Sequence, residues 1–467
     1  MTKTHSLFLF LGIYFAILLG LAPINLLSLD TYYYWEWSRH LALSYYDGSP
    51  MIAYFIKLSN MLFGTTLFSL SIIGVVTTAL TSGIIYKTAR LFLSKEASAV
   101  AMLSWLTAPL VTMDILTETT YDTPLTLFWA LTLYYTAKFI KTNQTKELYL
   151  IGASAGLMML SKYTGVVLIF ALLIFLISTS YRSIFKSKHF YFAMLIAVLI
   201  FSPVLIWNYQ HQWQSFIYQL TSHQLNTTTN PFYNALRTYL IMFIPSLNFM
   251  LLPPLLVGRL NSGDKKELIV KLCWIICITF ICFYVYAASK AEIRIFWLAP
   301  YLISGSLLFA YCFETLQYRK TAYSIIALYA LISICVLVDN TYKHSSTVSK
   351  KLASYNLIND FNTAYPHLPK TILTSGWFEA RMLFFLKDHP EVYTLGCGSA
   401  ENQYAFWSTD VKKKIADKVL KEAVYIDGYD RKNCLKQYFD ECQRMPASAY
   451  IQKKKTYTLY AYHCINH

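Results

Sequence analysis

Runs of apolar residues close to the ~20 needed to cross a bilayer recur through the first three quarters of this chain. They lie at roughly 6–29, 65–86, 97–116, 122–139, 147–161, 163–181, 190–207, 237–258, 268–288, 296–314 and 321–339. A chain of 467 residues could form two or three soluble domains, but 56% apolar and 14% charged residues leave too little charge for a water-facing surface. The mean hydropathy of +0.40 agrees. The expected fold class is a polytopic α-helical membrane protein with about eleven transmembrane helices. The first run is longer than a signal-peptide core and lacks a small-residue cleavage site, so it reads as a retained span.

Charge sets the orientation. One set of loops carries Lys87, Arg90 and Lys95; Lys138, Lys141 and Lys146; Arg182, Lys186 and Lys188; Arg259, Lys265 and Lys266; Arg319 and Lys320. The opposite set is poorer in base and richer in aromatics. The positive-inside rule makes the first set cytoplasmic, the N-terminus internal and the tail external. The net charge of +15 is therefore a topology signal, spread in short clusters, and not the single basic face of a nucleic-acid binder. At Ser161-Lys162-Tyr163 either two short spans meet or one long helix tilts.

The outer face collects the acidic residues. Its first loop holds Asp30-Thr-Tyr-Tyr-Tyr-Trp-Glu-Trp-Ser-Arg-His40 and runs on to Asp47-Gly-Ser-Pro50. A carboxylate at the mouth of a span is costly near lipid, which makes Asp30 a functional candidate. The aromatics alone read as an interfacial anchor. From 30 to about 63 the pattern is amphipathic and too polar to span, so two short interfacial helices broken at Gly48 and Pro50 are expected. The other outer loops contribute Asp114, Glu118 and Asp122, then Lys162, then His211 and His223, then Lys290, Glu292 and Arg294.

After 338 the composition turns polar. Short β-type runs at 371–374, 391–395, 424–427 and 456–462, separated by helical stretches at 378–386 and 409–421, suggest a small α/β domain outside the membrane. The division is 1–339 and 340–467. Gly396-Cys-Gly398 reads as a turn, not a phosphate loop. Cys397, Cys434, Cys442 and Cys464 suit an oxidising compartment, where four cysteines allow three pairings; free thiols are the alternative. No Cys/His spacing indicates a zinc site.

With chemistry facing outward, no nucleotide donor is available, and an activated donor must come through the membrane. Acidic residues there can take a proton from an attacking hydroxyl or hold a divalent cation against a phosphate leaving group. Both suit sugar transfer from a polyprenyl phosphate. Asp30 and Asp122 are the candidate base and metal partner, with Asp47 a third candidate ligand. Lys162, His211, Lys290 and Arg294 are candidate partners for the phosphate, and Tyr33, Trp37, Arg39 and Trp207 complete the candidate substrate contacts.

Five segments carry a family resemblance. The loop from Asp30 to Pro50 resembles the first outer loop of the bacterial relatives of dolichyl-phosphate-mannose protein mannosyltransferases and of the aminoarabinose lipid A transferase. Thr120-Tyr-Asp122-Thr-Pro124-Leu-Thr-Leu-Phe-Trp129 resembles the family's Thr-Pro-Asp-x-Pro-Leu-x-x-Phe-Trp. Leu160-Ser-Lys162-Tyr-Thr164 matches a Leu-Ser-Lys-Tyr-Thr element. Ser202-Pro-Val-Leu-Ile-Trp207-Asn-Tyr-Gln-His211-Gln-Trp213-Gln-Ser-Phe216 is similar to Ser-Pro-x-x-x-Trp-Asn-x-x-His-x-Trp-x-Ser-Phe, and Asn402-Gln-Tyr-Ala-Phe-Trp407 to a Gln-Tyr-x-x-Trp element. The resemblance implies a C-type glycosyltransferase fold, a polyprenyl-phosphate sugar donor and inverting transfer on the periplasmic side of the bacterial inner membrane. It implies a catalytic carboxylate at Asp30, a supporting one at Asp122, and a place near metal or donor phosphate for Asp47. Two departures bear on metal use: the family's Asp-Glu pair is Asp30-Thr31, and its His-Pro-Pro is Gly48-Ser49-Pro50.

The expected partners are an undecaprenyl-phosphate-linked sugar, a lipid A or other envelope glycan acceptor and membrane lipid, with no nucleic acid. A flippase or other transporter would show internal repeats and polar residues near mid-membrane in broken helices; no clear repeat is found, and the acidic residues lie at span ends. A surface-glycan polymerase or ligase would share the donor logic with other motifs.

Overall fold

The structure is a computed structural model. It describes residues 3–21, 27–114, 119–221, 233, 236, 265–289, 295–316, 319–342, 346–367, 369, 371–374, 384–397, 402–452 and 455–467. In chain order the helices are α1 (Lys3–Leu21), α2 (Leu29–Arg39), α3 (Met51–Phe63), α4 (Leu67–Arg90), α5 (Lys95–Leu106), α6 (Pro109–Asp114), α7 (Asp122–Thr142), α8 (Thr145–Ser161), α9 (Val166–Ile177), α10 (Lys188–Gln210) and α11 (Gln214–Leu220). After these come α12 (Lys265–Ala288), α13 (Tyr301–Leu316), α14 (Arg319–Tyr342), α15 (Ser346–Ala364), α16 (Gln403–Trp407), α17 (Thr409–Ala416) and α18 (Lys432–Leu435). The strands are β1 (Thr371–Thr374), β2 (Glu391–Thr394), β3 (Glu422–Asp427), β4 (Glu441–Gln452) and β5 (Lys455–Ile465).

The chain divides into two units. The first comprises Met1–Pro23, Leu41–Ser44 and Gly48–Val338. It is helical, and its core is built from α4, α5, α7, α9, α12 and α13, with Trp105, Trp129, Tyr301 and Tyr329 among the largest fully buried side chains. Helix α8 packs between α7 and α10. Gly152 and Gly156 make the second contact close: a Cβ on Gly152 would stand 2.2 Å from the Ala193 carbonyl oxygen, and one on Gly156 2.8 Å from that of Ala197. This small-x-x-x-small stripe lets two backbones meet where lipid gives no hydrophobic drive for association.

Three helices among the described residues, α4, α10 and α12, are long and apolar enough to cross a membrane. A fourth span results if Tyr163–Ile177 and Ser180–Lys186, bent by 106°, are counted as one. The expected spans counted apolar runs, and several runs break into shorter helices. The run at 97–116 divides into α5 and α6 where Pro109, with no N–H to donate, starts a new helix. At Lys162 the backbone is extended (φ −160°, ψ 137°), so α8 ends and a 3-10 turn leads into α9. The run at 237–258 lies outside the described residues.

The second unit comprises Ile24–His40, Tyr45–Asp47 and Asp339–His467. Its five-stranded sheet has the order β2-β1-β3-β5-β4. β1 pairs in parallel with β2 and β3, and β5 pairs antiparallel with β3 and β4. β4 is an edge strand whose register shifts between Met445 and Ser448, where Pro446 cannot donate to the ladder. Disulfides join Cys397 to Cys434 and Cys442 to Cys464, the latter pair directly opposite across β4 and β5.

Helix α2 belongs to this unit, and its aromatic residues pack on the tail. Tyr32 meets Phe384 and Phe385, Trp35 meets Phe384 and His389, and Tyr33 meets Tyr404. Trp37 stacks on Tyr45 at 4.1 Å. Tyr32, Tyr33, Trp35 and Trp37 are at most 1% exposed. They are core residues of a protein unit and not the headgroup anchors their composition suggests. An aromatic side chain sits equally well against protein or lipid headgroups, and composition does not distinguish the two.

Candidate active site

In the helical unit, Asp122 opens α7. Thr120 Oγ1 accepts its backbone N–H at 3.3 Å, and Pro124 fits the first turn, where its missing N–H costs nothing. The carboxylate is buried and lies at the positive end of the helix dipole. Lys162 Nζ donates to both its oxygens, at 2.7 and 2.8 Å. The lysine emerges from the break after α8, with its ammonium over the rings of Trp297 (5.1 Å) and Tyr121 (5.9 Å). Next to it, the Tyr163 hydroxyl bonds Ser215 at 2.9 Å and Ser44 at 3.3 Å. Tyr121 also lines Gly48: its hydroxyl is 3.4 Å from where a Cβ on that glycine would stand. Trp207 and His211 stack at 4.2 Å near the end of α10, and His211 Nδ1 donates to the Trp207 carbonyl at 2.7 Å.

In the second unit, Asp30 lies in the first turn of α2, where Ser28 caps the helix by accepting from Thr31 N. Asp30 is half-buried. Asp47 is buried; its Oδ2 accepts from the Tyr33 phenol and from Gln403 N at 3.4 Å. Gln403 N also donates to the Tyr33 oxygen at 2.8 Å, and Gln403 Oε1 accepts from Tyr46 N at 2.6 Å. The Gln-Tyr-x-x-Trp element of the tail thus holds the Tyr45–Asp47 segment of the first loop. Burial pushes the Asp47 carboxyl up to about 7, against the pull of its two donors, and the negative charge of Asp30 adds to the rise.

On the far turn of α2, Arg39 Nη1 donates to Glu36 at 3.0 and 3.1 Å and to the Pro390 carbonyl at 3.1 Å. Its Nη2 donates to the His389 carbonyl at 2.7 Å. His40 stands beside Glu36 and Glu391, and the Glu36 carboxylate holds its imidazole above the ordinary value.

The sequence-derived candidates thus fall into defined groups: Asp122 with Lys162, Trp207 with His211, and Tyr33 with Trp37 and Asp47. Asp30 and Asp122 belong to different units. Lys290 and Arg294 lie outside the described residues. Among the described residues Asp122 has an ammonium on both carboxylate oxygens, so its immediate partner is Lys162. Sequence reasoning missed Tyr121, Trp297, Tyr163 and Glu391. Tyr121 and Tyr163 adjoin motif residues and were legible as neighbours, whereas Trp297 and Glu391 carry no local signal.

Residues 47–207 match the model of the dolichyl-phosphate-mannose-protein mannosyltransferase family. A curated relative, the lipid A galacturonosyltransferase RgtD of Rhizobium johnstonii, is 26% identical over 185 residues, which is 39% of this chain and 38% of RgtD. The match therefore spans well under half of that relative's length. Crystal structures of ArnT from Cupriavidus metallidurans share the fold. The apo form superposes with a TM-score of 0.75 at 13% identity, covering 99% of this chain and 98% of ArnT. The form bound to undecaprenyl phosphate gives 0.74 over 98% of each. These likenesses define an integral membrane protein, mostly helical with a small sheet near the C-terminus. The family match covers about a third of the chain.

Proposed function

We propose that the protein transfers a sugar from a polyprenyl phosphate, undecaprenyl phosphate in a bacterial cell, to an acceptor hydroxyl of lipid A or a related envelope glycolipid. The observation that carries this reading is the contrast between Asp30 and Asp47. Asp47 is buried, held by Tyr33 and Gln403, and stays protonated up to about pH 7. Asp30 is half-buried at the start of α2. A carboxyl that burial keeps protonated is not a base below that pH. The base role is therefore assigned to Asp30, the more solvent-exposed of the two.

In the proposed step the acceptor oxygen attacks the sugar's C1 as the bond from C1 to the phosphate oxygen breaks. The hydroxyl proton passes to Asp30, and the polyprenyl phosphate leaves with the bonding pair. Inversion at C1 follows from attack opposite the leaving group. Asp122 is the supporting carboxylate, oriented by Lys162. His211, Lys290 and Arg294 are assigned to the phosphate, and Tyr33, Trp37, Arg39, Asp47 and Trp207 to shaping the substrate site. Asp30, Asp47 and Asp122 stand as the candidate ligands should the reaction need a divalent cation.

The same reading takes the chain as eleven spans in the inner membrane with the N-terminus inside. Residues 1–339 form the transferase domain and 340–467 a periplasmic one. Two disulfides in the tail support an oxidising compartment, and Lys266, Lys141 and Lys138 at helix ends support the opposite face as cytoplasmic.

The test supplies purified full-length protein with a polyprenyl-phosphate sugar labelled in the sugar and with lipid A. Label recovered covalently on lipid A supports the reading. Label that crosses vesicles still attached to its polyprenyl phosphate overturns it in favour of transport.

A further inference from the structure

Glu36 and His40 lie four residues apart on α2 and so share one face of the helix. Glu391 begins β2 and meets them there. His40 Nε2 is 3.3 Å from Glu36 Oε1 and 3.2 Å from Glu391 Oε2. The three atoms all lie within 4.8 Å of one another. We propose that Glu36, His40 and Glu391 form a binding site for a divalent transition metal of the zinc class.

Three features favour a metal over an ion pair. First, an imidazolium Nε2 has one hydrogen, which cannot point at two carboxylates at once. A metal on the same nitrogen satisfies both. Second, the separations are wrong for a charge-assisted hydrogen bond, which closes to about 2.7–2.9 Å. They are right for neighbouring ligands of a tetrahedral ion: bonds of about 2.0–2.1 Å place such atoms about 3.3 Å apart. Third, the carboxylates are already oriented. Arg39 donates to both oxygens of Glu36 and, at 3.4 Å, to Glu391 Oε1, leaving Glu391 Oε2 directed at His40. The guanidinium is itself fixed by the carbonyls of His389 and Pro390. Metal-ligating carboxylates characteristically carry such outer hydrogen bonds.

The electrostatics permit a dication. With His40 neutral, two carboxylates and one guanidinium leave one net negative charge, and an imidazolium gives up its Nε2 proton on binding. Glu36 is 1% exposed, whereas His40 and Glu391 are 35% and 44% exposed at their side chains, so the site is rooted in the core and open to solvent on one side. Three protein ligands and an open fourth position take a water or a ligand from solution. The Trp407 ring beside His40, 4.9 Å between centroids, limits the imidazole's orientations. Because the ligands come from the helix that carries Asp30 and from the edge strand β2, the ion ties that helix to the sheet.

The test uses full-length protein in detergent, stripped with chelator and titrated with Co²⁺ in mildly alkaline buffer. One Co²⁺ per chain with the intense visible bands of tetrahedral coordination, displaced by Zn²⁺, is the expected result. His40→Gln and Glu391→Gln each weaken binding at least about tenfold. Glu391 is the most exposed of the three ligands, so its variant is expected to fold even if the His40 variant does not, and circular dichroism checks both. Absence of Co²⁺ binding in the wild type overturns the proposal. So does binding that survives both substitutions, or that disappears instead in Asp47→Asn. All readouts are metal content and spectrum, independent of sugar transfer.

Discussion

Lys162 Nζ stands 2.7 Å from Oδ1 and 2.8 Å from Oδ2 of Asp122, with the carboxylate side chain 2% and the lysine 14% exposed. This pair joins the start of α7 to the break after α8. Removing one partner of a buried pair strands the other charge, at a cost of about 3–5 kcal/mol, while replacing both with apolar groups is far milder. Lys162→Met is therefore expected to lower the thermal midpoint sharply, and Lys162→Met with Asp122→Leu to recover most of the loss. Equal destabilisation in single and double variants would show that the contact carries no coupling. Asp122→Asn is expected to reduce transfer strongly but not abolish it.

Asp30→Asn keeps the shape and hydrogen-bonding reach of the side chain but removes its ability to take a proton. Transfer is expected to fall about 10²–10⁴-fold in kcat, the usual worth of a general base. The fold is expected to persist, because Asp30 is half-buried and Ser28, not Asp30, provides the cap. Near-normal turnover by this variant would remove Asp30 from the catalytic role.

How legible each feature was depended on whether its cause is local. The start of α7 at Asp122 and the strand at Thr371–Thr374 were read correctly because Pro124 and a β-branched run mark them within a few residues. β4 was not read. Its Glu441–Gln452 sequence carries Arg444 and Pro446, and it is a strand because β5 lies beside it and Cys442 is bonded to Cys464. The Asp122–Lys162 contact was visible only as two charges on one expected face. Glu391 beside His40 had no signal at all, since nothing in either neighbourhood encodes a meeting between α2 and β2.

The approach of α8 to α10 gives a packing test. Gly156→Val forces β-branched bulk into the Ala197 carbonyl and Ile200, whose Cβ is also 2.8 Å from the added Cβ position. Overpacking of this kind costs about 1–3 kcal/mol or more. Gly152→Val, against a 2.2 Å approach, is expected to be worse. Gly83, with nothing within 4 Å of an added Cβ, is the control, and Gly83→Ala is expected to be neutral or slightly stabilising. Thermal midpoints of the three variants in one detergent settle the order.

The disulfides close segments of 37 and 22 residues in the second unit. Each is expected to contribute about 2–4 kcal/mol by restricting the unfolded chain. Reductant should therefore lower the midpoint of the wild type but leave a variant with all four tail cysteines replaced by serine unchanged. Mass spectrometry of the non-reduced protein should give peptides linking Cys397 to Cys434 and Cys442 to Cys464, and any other linkage would contradict the pairing.

Asp47 sets a pH dependence whose sign follows from its environment. In the unfolded chain it titrates near 3.8; in the fold burial raises it to about 7. Between those values the folded protein keeps a proton that the unfolded chain has released. Stability linked to Asp47 is therefore present at acid pH, declines as pH rises from about 4 to about 7, and is level above that, with a slope of at most about 1.4 kcal/mol per pH unit. Other groups titrate in the same range, so the informative quantity is the difference between wild type and Asp47→Asn. That difference should carry the slope, because the amide cannot ionise. Tyr33→Phe removes a donor that favours the charged carboxylate, and should move the upper end of the window to higher pH. Thermal midpoints from pH 4 to 9 for the three proteins decide the matter: parallel curves would mean that Asp47 is ionised in the fold and would remove the ground for excluding it as the base.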